Sequence, residues 1–284
     1  KKPIKKNARI TFLQRRFVGL RSRNRQFIEM KKLYKFLLNT LPRPLLIRLS
    51  YLFKLFAPLA YYGNEVHCPV CEKNFRKFLS YGSNTAHREN VLCPYDLTLE
   101  RHRLMWLYLK QSSFFNEENQ KVLHIAPEQC FYPIFKKQKN LSYTTADMES
   151  PIADLHFDLH NIPLEDNLYD VIFCNHVLEH VQDDHQCMKE LLRVMKPGGW
   201  GIFQVPIDYN NKVTYEDSSI TDQKEREIHF WQKDHVRLYG LDYPKRLEKA
   251  GFKVDIFDPK SDLGLIDYEK LRLNSSELIF IARK

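Results

Sequence analysis

The feature that most constrains the fold is a strand–helix–strand pattern at residues 169–205. It begins with an apolar run of strand length, which ends at the polar residues Asn175 and His176, and it continues with a helical pattern. The turn sequence KPGG then leads into a second apolar run. Because a strand, a helix and a further strand in one sheet form a parallel unit, this pattern predicts an α/β fold with a mostly parallel sheet.

The same alternation of short apolar runs and helical patterns extends through the C-terminal two-thirds of the chain. The predicted strands are 122–125, 141–145, 155–157, 169–174, 200–205, 253–257 and 278–282. The predicted helices are 101–109, 129–136, 184–195 and 243–250. Ligands of open α/β sheets bind outside the carboxyl ends of the strands, which makes the step at Asn175 and His176 a candidate site.

The order of these motifs resembles a known family. An acidic residue at a strand end, the sequence NHVLEH, a helix and the sequence KPGG follow one another here. This order is similar to that of the class I S-adenosylmethionine-dependent methyltransferases, particularly the branch that modifies small molecules and glycans. The resemblance covers about residues 101–284. It implies a Rossmann-like, seven-stranded, mostly parallel sheet whose last strand, here Leu278–Ala282, runs antiparallel.

The resemblance also implies where S-adenosylmethionine binds. Asp147 ends the second strand, where the family binds the ribose hydroxyls, and a carboxylate can accept a hydrogen bond from both. Asp158 matches the position that contacts the adenine amino group, and Leu159 matches the position that donates through its backbone. The full set of implied cofactor-binding residues is His124, Ala126, Pro127, Glu128, Asp147, Asp158, Leu159, Asn175 and His176.

The loop after the first strand departs from the family pattern. Family members have glycines there, since bare backbone lets the cofactor approach closely. Residues 126–128 of this chain read Ala-Pro-Glu instead. This departure is the basis of one alternative hypothesis, in which the protein is a non-catalytic scaffold on a degenerate methyltransferase fold.

Two histidines are candidate catalytic bases. Methyl transfer from a sulfonium needs mainly alignment, and an oxygen nucleophile also benefits from a base that works near neutral pH. Imidazole is such a base, and His180 and His235 are the candidates. We expect Asp234 to orient His235 and Tyr239 to line the pocket. The long polar and aromatic segment 206–239 is interpreted as a substrate-binding cap.

The sequence HVLEH at 176–180 also admits two metal interpretations. It satisfies the H-x-x-E-H pattern of some zinc peptidases, which place that motif on a long helix. Alternatively, Glu179 and His180 could hold a metal, as in some RNA 2′-hydroxyl methyltransferases.

Cysteines within residues 63–100 are spaced as in a zinc ribbon. A C-x-x-C knuckle is followed after about twenty residues by a second knuckle, in which an aspartate stands where a fourth cysteine is usual. The predicted ligands of a structural Zn²⁺ are Cys68, Cys71, Cys93 and Asp96. His87 or His102 could replace the aspartate. The metal would stabilise a module too small for its own core.

Charge divides the chain near residue 60. Residues 1–60 contain sixteen Lys and Arg residues and one acidic residue, Glu29, whereas the rest contains 28 basic and 34 acidic residues. The body therefore lacks the basic surface of a domain that grips phosphate backbones. Helical patterns at 31–38 and 43–59 favour either packing on the catalytic domain or lying in a membrane interface. The second pattern is too short and too charged to span a bilayer.

These observations divide the chain into a basic helical arm (1–62), a zinc-ribbon-like module (63–100) and a methyltransferase domain (101–284). The leading prediction is S-adenosylmethionine-dependent O-methylation of a sugar, glycolipid or other small metabolite. The alternative is RNA methylation, with the zinc module and the basic arm binding RNA. The expected location is the cytoplasm, with the arm at the inner face of the membrane. No signal-peptide pattern is seen, and the cysteines are interpreted as metal ligands or buried thiols rather than as a disulfide framework.

Overall fold

The computed structural model describes Leu45 and residues 56–82, 87–151, 153–264 and 266–284. By its internal contacts the chain divides into units 1–56 and 57–284. The predicted helix at 31–38 and most of the one at 43–59 lie outside the described residues, although residues 56–60 are helical. No helix in the described part of the chain is long and apolar enough to cross a bilayer.

The elements of residues 57–284 follow one another in α/β order. The strands are β1 (Val66–Cys68), β2 (Lys73–Phe75), β3 (Leu79–Tyr81), β4 (Arg88–Leu92), β5 (Gln120–Ile125), β6 (Leu141–Ala146), β7 (Tyr169–Cys174), β8 (Met195–Ile202), β9 (Tyr215–Glu216), β10 (Arg237–Leu238), β11 (Lys253–Phe257) and β12 (Ile279–Arg283). The helices are α1 (Glu100–Gln111), α2 (Tyr132–Phe135), α3 (Asp184–Val194), α4 (Gln223–Phe230), α5 (Tyr243–Ala250), α6 (Pro259–Asp262) and α7 (Tyr268–Leu271).

Six strands form the central sheet in the order β11-β12-β8-β7-β5-β6. Strands β6, β5, β7 and β8 are parallel, whereas β12 is antiparallel to both of its neighbours. Residues 171–174 of the central strand β7 are fully buried, as expected for a parallel sheet covered on both faces. Strand β5 lies between β6 and β7, so the strand order reverses there and leaves a crevice at the carboxyl ends.

The mostly parallel α/β sheet and its antiparallel last strand agree with the sequence prediction, but the count of seven strands does not. Within the described residues, the predicted strand 155–157 contributes a single parallel bridge between Ala146 and Leu155. The carboxylate of Asp154 accepts hydrogen bonds from the backbone N–H (3.0 Å) and the hydroxyl (2.8 Å) of Thr145. The Asp154 side chain therefore accepts the hydrogen bond of a backbone N–H at the edge of the sheet, which a seventh strand would otherwise accept.

Two other predicted elements differ in their bounds by more than two residues. The helix expected at 129–136 is only α2, because Pro133 lacks an N–H and is tolerated only in the first turn of a helix. The KPGG sequence was expected to be a turn before a strand at 200–205, but β8 begins at Met195 and passes through it. Gly198 has a φ of +78°, and the backbone of Gly198 and Gly199 bonds to that of Lys284.

The cysteine-containing segment consists of two small antiparallel hairpins, β1–β2 and β3–β4. Its buried Phe75 and Phe78 pack in the same apolar cluster as Trp106 of α1 and Phe173 of β7. The side chain of Arg103 on α1 is fully buried beneath the hairpins. It donates hydrogen bonds of 2.7–2.9 Å to the carbonyl oxygens of Val91, Thr98, Leu271 and Arg272.

Candidate functional site

A pocket of about 320 Å³ opens beside the carboxyl ends of β5 and β6 and the turn after β7. It is lined by Ile125, Ala126, Ala146, Asp147, Met148, Phe157, Asp158, Leu159, His160, Val177, His180, Val181 and Gln182. The structure therefore brings the predicted cofactor residues Ala126, Asp147, Asp158 and Leu159 together in one pocket. The pocket occupies the crevice at which the strand order reverses.

Asp147 follows β6 and is fixed by the turn that it begins. Its Oδ1 accepts hydrogen bonds from the backbone N–H groups of Glu149 (2.8 Å) and Ser150 (2.7 Å). Its own N–H donates to the carbonyl oxygen of Leu155 at 3.1 Å. A carboxylate held in this way at a strand end can accept hydrogen bonds from hydroxyl groups of a ligand in the pocket.

Asp158 lies on another wall of the pocket. Its Oδ1 accepts hydrogen bonds from the backbone N–H (2.9 Å) and the ring Nδ1 (2.7 Å) of His160. These bonds lower the pKa of the Asp158 carboxyl, which is therefore charged at neutral pH. The Nε2 of His160 in turn accepts the N–H of Asp183 at 3.1 Å, so the proton of this imidazole is on Nδ1.

The loop after β5 brings alanine, rather than glycine, to the pocket. Ala126 has a φ of +49°, a left-handed conformation that glycine adopts without strain, and its N–H donates to the carbonyl oxygen of Ala146 at 2.8 Å. Pro127 is buried behind it and does not line the pocket. The backbone at the expected glycine position thus keeps the conformation that glycine favours.

His124, Glu128 and Asn175 do not line the pocket but form a hydrogen-bonded chain behind it. The His124 ring bonds to the hydroxyl of Tyr143 (2.8 Å) and to a carboxylate oxygen of Glu128. The other carboxylate oxygen of Glu128 accepts from the amide of Asn175 at 3.2 Å. Burial alone would raise the pKa of Glu128, but its contact with His124 outweighs burial and lowers that pKa to about 2.

His176 is also outside the pocket lining, and it begins the turn after β7. It has a φ of +56°, and its Nδ1 lies 3.2 Å from Oε1 of the buried Glu179. Residues 176–183 form turns rather than a helix, so the zinc-peptidase interpretation of HVLEH is wrong. Without the helix, His176 and His180 do not share a face in the way that motif requires.

The two candidate bases, His180 and His235, lie together. Their ring centroids are 4.7 Å apart with the planes at 82°. His180 lines the pocket, whereas His235 is buried and its Nδ1 bonds to the carbonyl oxygen of Phe230 at 2.8 Å. The expectation that Asp234 orients His235 is wrong, because Asp234 lies against His180, with its carbonyl and carboxylate oxygens 3.3 and 3.5 Å from Nδ1.

Tyr239 does not line the pocket, contrary to expectation. Its side chain is fully buried, and its hydroxyl donates to a carboxylate oxygen of Asp184 at 2.8 Å. The segment 206–239 contains the antiparallel strand pair β9–β10, with α4 between the two strands, and none of its residues lines the pocket. It presents exposed apolar side chains, namely Tyr209, Val213, Tyr215, Ile228 and Trp231.

The predicted zinc ligands also come together. The ligand atoms of Cys68, Cys71, Cys93 and Asp96 all lie within 4.8 Å of one another. The thiol of Cys68 donates to Oδ2 of Asp96 at 3.1 Å, and the sulfurs of Cys71 and Cys93 are 3.9 Å apart. His87 and His102 are not members of this group, and Nδ1 of His102 instead accepts the N–H of Leu99 at 3.1 Å.

Several pocket residues were missed at the level of sequence. His160, Val181 and Gln182 line the pocket, and Arg237 supports it by donating to the carbonyl oxygens of Val181 (2.6 Å) and Gln182 (2.8 Å). The position of His160 two residues after Asp158 was a signal that could have identified it. Nothing local in the sequence identifies this role of Arg237, because Val181 and Gln182 are more than fifty residues away from it.

The sheet and its pocket define a Rossmann-like α/β domain with a candidate ligand site at the reversal of strand order. Residues 120–203, which run from β5 to just beyond β8, match a family described as a methyltransferase domain. Together, the match and the topology support a class I S-adenosylmethionine-dependent methyltransferase. S-adenosylmethionine is therefore the implied cofactor.

One curated relative is the malonyl-[acyl-carrier protein] O-methyltransferase of Buchnera aphidicola subsp. Baizongia pistaciae, 34% identical over 65 residues. The matched stretch is 23% of this chain and 26% of the relative, so the chain spans about a quarter of the relative's length.

Similar solved structures have low sequence identity. An S-adenosylmethionine-dependent methyltransferase from Listeria monocytogenes is 18% identical, with 65% of this chain and 96% of that chain covered and a TM-score of 0.41. The [4+2]-cyclase SpnF is 14% identical, with 83% and 95% covered and a TM-score of 0.47.

Proposed function

We propose that the protein transfers a methyl group from S-adenosylmethionine to an oxygen atom of a sugar, glycolipid or other small metabolite. The observation that carries this proposal is the pocket at the crevice of the sheet, in which Asp147 and Asp158 stand among apolar walls. Carboxylates suit the hydroxyl and amino groups of a nucleoside, and apolar walls suit its flat base.

In this proposal the pocket residues have separate tasks. Asp147 accepts hydrogen bonds from the ribose hydroxyls, Asp158 accepts one from the adenine amino group, and Leu159 contacts the base. S-adenosylmethionine supplies an activated methyl group, so the protein has mainly to align the acceptor oxygen with it. His180, on the pocket wall, takes the hydroxyl proton as the new carbon–oxygen bond forms and the carbon–sulfur bond breaks.

The nature of the acceptor is inferred from the segment 206–239. Its exposed apolar side chains include Trp231 and Tyr215, which suit the faces of sugar rings or the apolar part of a lipid. An oxygen acceptor is also the kind used by the Buchnera relative, which is an O-methyltransferase. The acidic body of the chain favours these acceptors over nucleic acid.

Two further proposals concern the rest of the chain. The group of Cys68, Cys71, Cys93 and Asp96 binds a structural Zn²⁺, because three thiols and a carboxylate that converge in this way are a suitable tetrahedral donor set. The basic residues of 1–60 contact an anionic membrane surface from the cytoplasmic side.

Binding of the cofactor tests the central proposal. We expect the full-length protein to bind S-adenosylmethionine and S-adenosylhomocysteine in calorimetry, and Asp147→Ala to weaken both by at least about 10-fold, because a charge-assisted hydrogen bond is lost. Asp255→Ala is the matched control, since Asp255 is an exposed carboxylate on β11 at the opposite edge of the sheet. Mass spectrometry of candidate acceptors should then show the gain of one methyl group.

The same measurements separate the alternatives. If the protein binds neither nucleoside, the enzymatic proposal is rejected and the non-catalytic scaffold is favoured. If it binds them but methylates RNA rather than small acceptors, the RNA alternative replaces the proposed acceptor class. Equal affinities of the wild type and Asp147→Ala would contradict the placement of the cofactor.

A further inference from the structure

A second group of metal-binding side chains lies beside the pocket. The ligand atoms of Glu179, His180 and His235 lie within 4.8 Å of one another. The first two belong to the turn after β7, and His235 comes from the segment that precedes β10. The N–H of Val236 donates to the carbonyl oxygen of Glu179 at 2.9 Å, and this bond holds the two segments in register.

This group contains buried polar atoms without partners among the described residues. The side chain of Glu179 is 1% exposed, and although Oε1 contacts His176, Oε2 has no hydrogen-bond partner. Nε2 of the buried His235 likewise has none. A buried carboxylate oxygen and a buried imidazole nitrogen without partners are costly unless a further group, such as a cation, satisfies them.

The two imidazoles are held in the orientation that metal ligands require. The Nδ1–H of His235 donates to the carbonyl oxygen of Phe230 at 2.8 Å, which leaves the lone pair on Nε2. Nδ1 of His180 is engaged by the carbonyl and carboxylate oxygens of Asp234 in the same way. Metal-binding histidines commonly bond to a backbone carbonyl or a carboxylate through the nitrogen that does not bind the metal.

We infer that Glu179, His180 and His235 form a site for a divalent first-row transition ion such as Mn²⁺. One carboxylate and two imidazoles are a suitable donor set for such an ion and leave further coordination positions open. The His180 side chain is 34% exposed and lines the pocket, so the open positions face the space that the acceptor must enter.

The role of this site rests on the proposed function. An ion in this position would bind the acceptor oxygen and make its hydroxyl more acidic, as metal ions do for bound water. His180 and His235 would then act as metal ligands, and the metal-bound oxygen would lose its proton to solvent instead of to His180.

Titration with Mn²⁺, followed by the loss of the free-ion signal in electron paramagnetic resonance, tests the site. Mn²⁺ is suitable because it has little affinity for the thiolates of the cysteine cluster. We expect the full-length protein to bind about one ion, and Glu179→Gln and His235→Ala each to weaken binding by at least about 10-fold. His229→Ala is the matched control, since His229 lies on α4 beside the exposed Glu225 and belongs to neither group of converging metal ligands found among the described residues.

Circular dichroism of each variant checks folding, and His180→Gln provides a third variant at a partly exposed position. Failure of the wild-type protein to bind Mn²⁺ up to about 1 mM, corresponding to a free energy weaker than about −4 kcal/mol, overturns the inference. Wild-type affinity in a folded Glu179→Gln or His180→Gln variant also overturns it.

Calorimetry with S-adenosylhomocysteine on the same samples separates this inference from the proposed function. Cofactor binding without Mn²⁺ binding rejects only the metal site. Mn²⁺ binding without cofactor binding supports the metal site and rejects the methyltransferase proposal.

Discussion

At the scale of single residues, two strand ends at the site adopt backbone conformations that are uncommon for their side chains. Ala126 after β5 and His176 after β7 both have a positive φ in the left-handed region. Such a residue costs about 1–2 kcal/mol relative to an ordinary conformation, and it persists only where the surroundings impose it. With alanine in place of glycine, the loop after β5 keeps the left-handed backbone conformation, but that conformation is more strained.

The buried carboxylate of Asp184 is hydrogen-bonded to neighbouring side chains. It accepts hydrogen bonds from Arg246 at 2.8 and 3.0 Å and from Tyr239 at 2.8 Å, and Arg237 lies 3.9 Å away. Burial alone would raise the pKa of Asp184, but the bonds from Arg246 and the charge of Arg237 outweigh it, and the pKa is lowered.

We expect Asp184→Asn to lower the free energy of unfolding by about 1.5–3 kcal/mol at pH 7, because charge-assisted hydrogen bonds are lost. A carboxyl whose pKa is lower in the folded state stabilises the protein above its unfolded pKa of about 3.9. That contribution disappears as the pH falls through the folded pKa. Urea unfolding should therefore show a difference between wild type and variant that is full at pH 7 and shrinks below about pH 4.

The control for this prediction is Asp166→Asn. Asp166 lies 2.7 Å from Arg193, but its side chain is 66% exposed, so this change should cost less than about 1 kcal/mol. Equal effects of the two substitutions, or an Asp184→Asn effect that does not vary with pH, would contradict the role of the buried network.

At the scale of elements, the β1–β2 and β3–β4 hairpins are short and lie beside the group of Cys68, Cys71, Cys93 and Asp96, which we propose binds zinc. Each strand has only three to five residues, which is too few for independent stability, although Phe75 and Phe78 add packing against α1. If zinc holds the hairpins together, the purified protein should contain about one Zn²⁺ per chain, and chelation should lower its melting temperature by at least about 5 °C.

Cys93→Ser should abolish the zinc measured by atomic absorption, whereas Cys187→Ser should retain it. Cys187 is also a fully buried cysteine, but it lies on α3, outside the cluster. A protein with full zinc content after Cys93→Ser, or without zinc when purified from zinc-supplemented medium, would show that the proposed ligand set is incorrect.

At the scale of the whole molecule, charge and contacts divide the chain at nearly the same place. Residues 1–56 form one unit and 57–284 another, and the excess of basic over acidic residues lies in the first. Cofactor binding and surface binding should therefore be separable by truncation.

We expect deletion of 1–56 to leave the affinity for S-adenosylhomocysteine unchanged and to weaken binding to phosphatidylserine vesicles by at least about 100-fold. Binding of the full chain should fall as salt is raised, because the attraction is electrostatic. Co-sedimentation with vesicles measures both effects. Vesicle binding that is independent of the deletion, or tight RNA binding without vesicle binding, would contradict the membrane proposal.

The sequence alone was sufficient for the parts of the molecule that depend on local pattern. Strands β7 and β11 and helix α5 have their predicted bounds, because apolar periodicity and flanking turn residues are local signals. Asp147 and Asp158 were implied by the family resemblance, and both line the pocket. The convergence of Cys68, Cys71 and Cys93 likewise followed from their spacing.

Only the tertiary structure decided which residues meet across long sequence separations. The proximity of Glu179 to His235, the burial of Arg103 beneath the hairpins and the contact of Asp234 with His180 all join separate segments. The same holds for the lost seventh strand, where the Asp154 side chain replaces a strand partner at the sheet edge. Sequence periodicity reports which face of an element is buried, but the partner of a buried polar atom is set by how the elements pack.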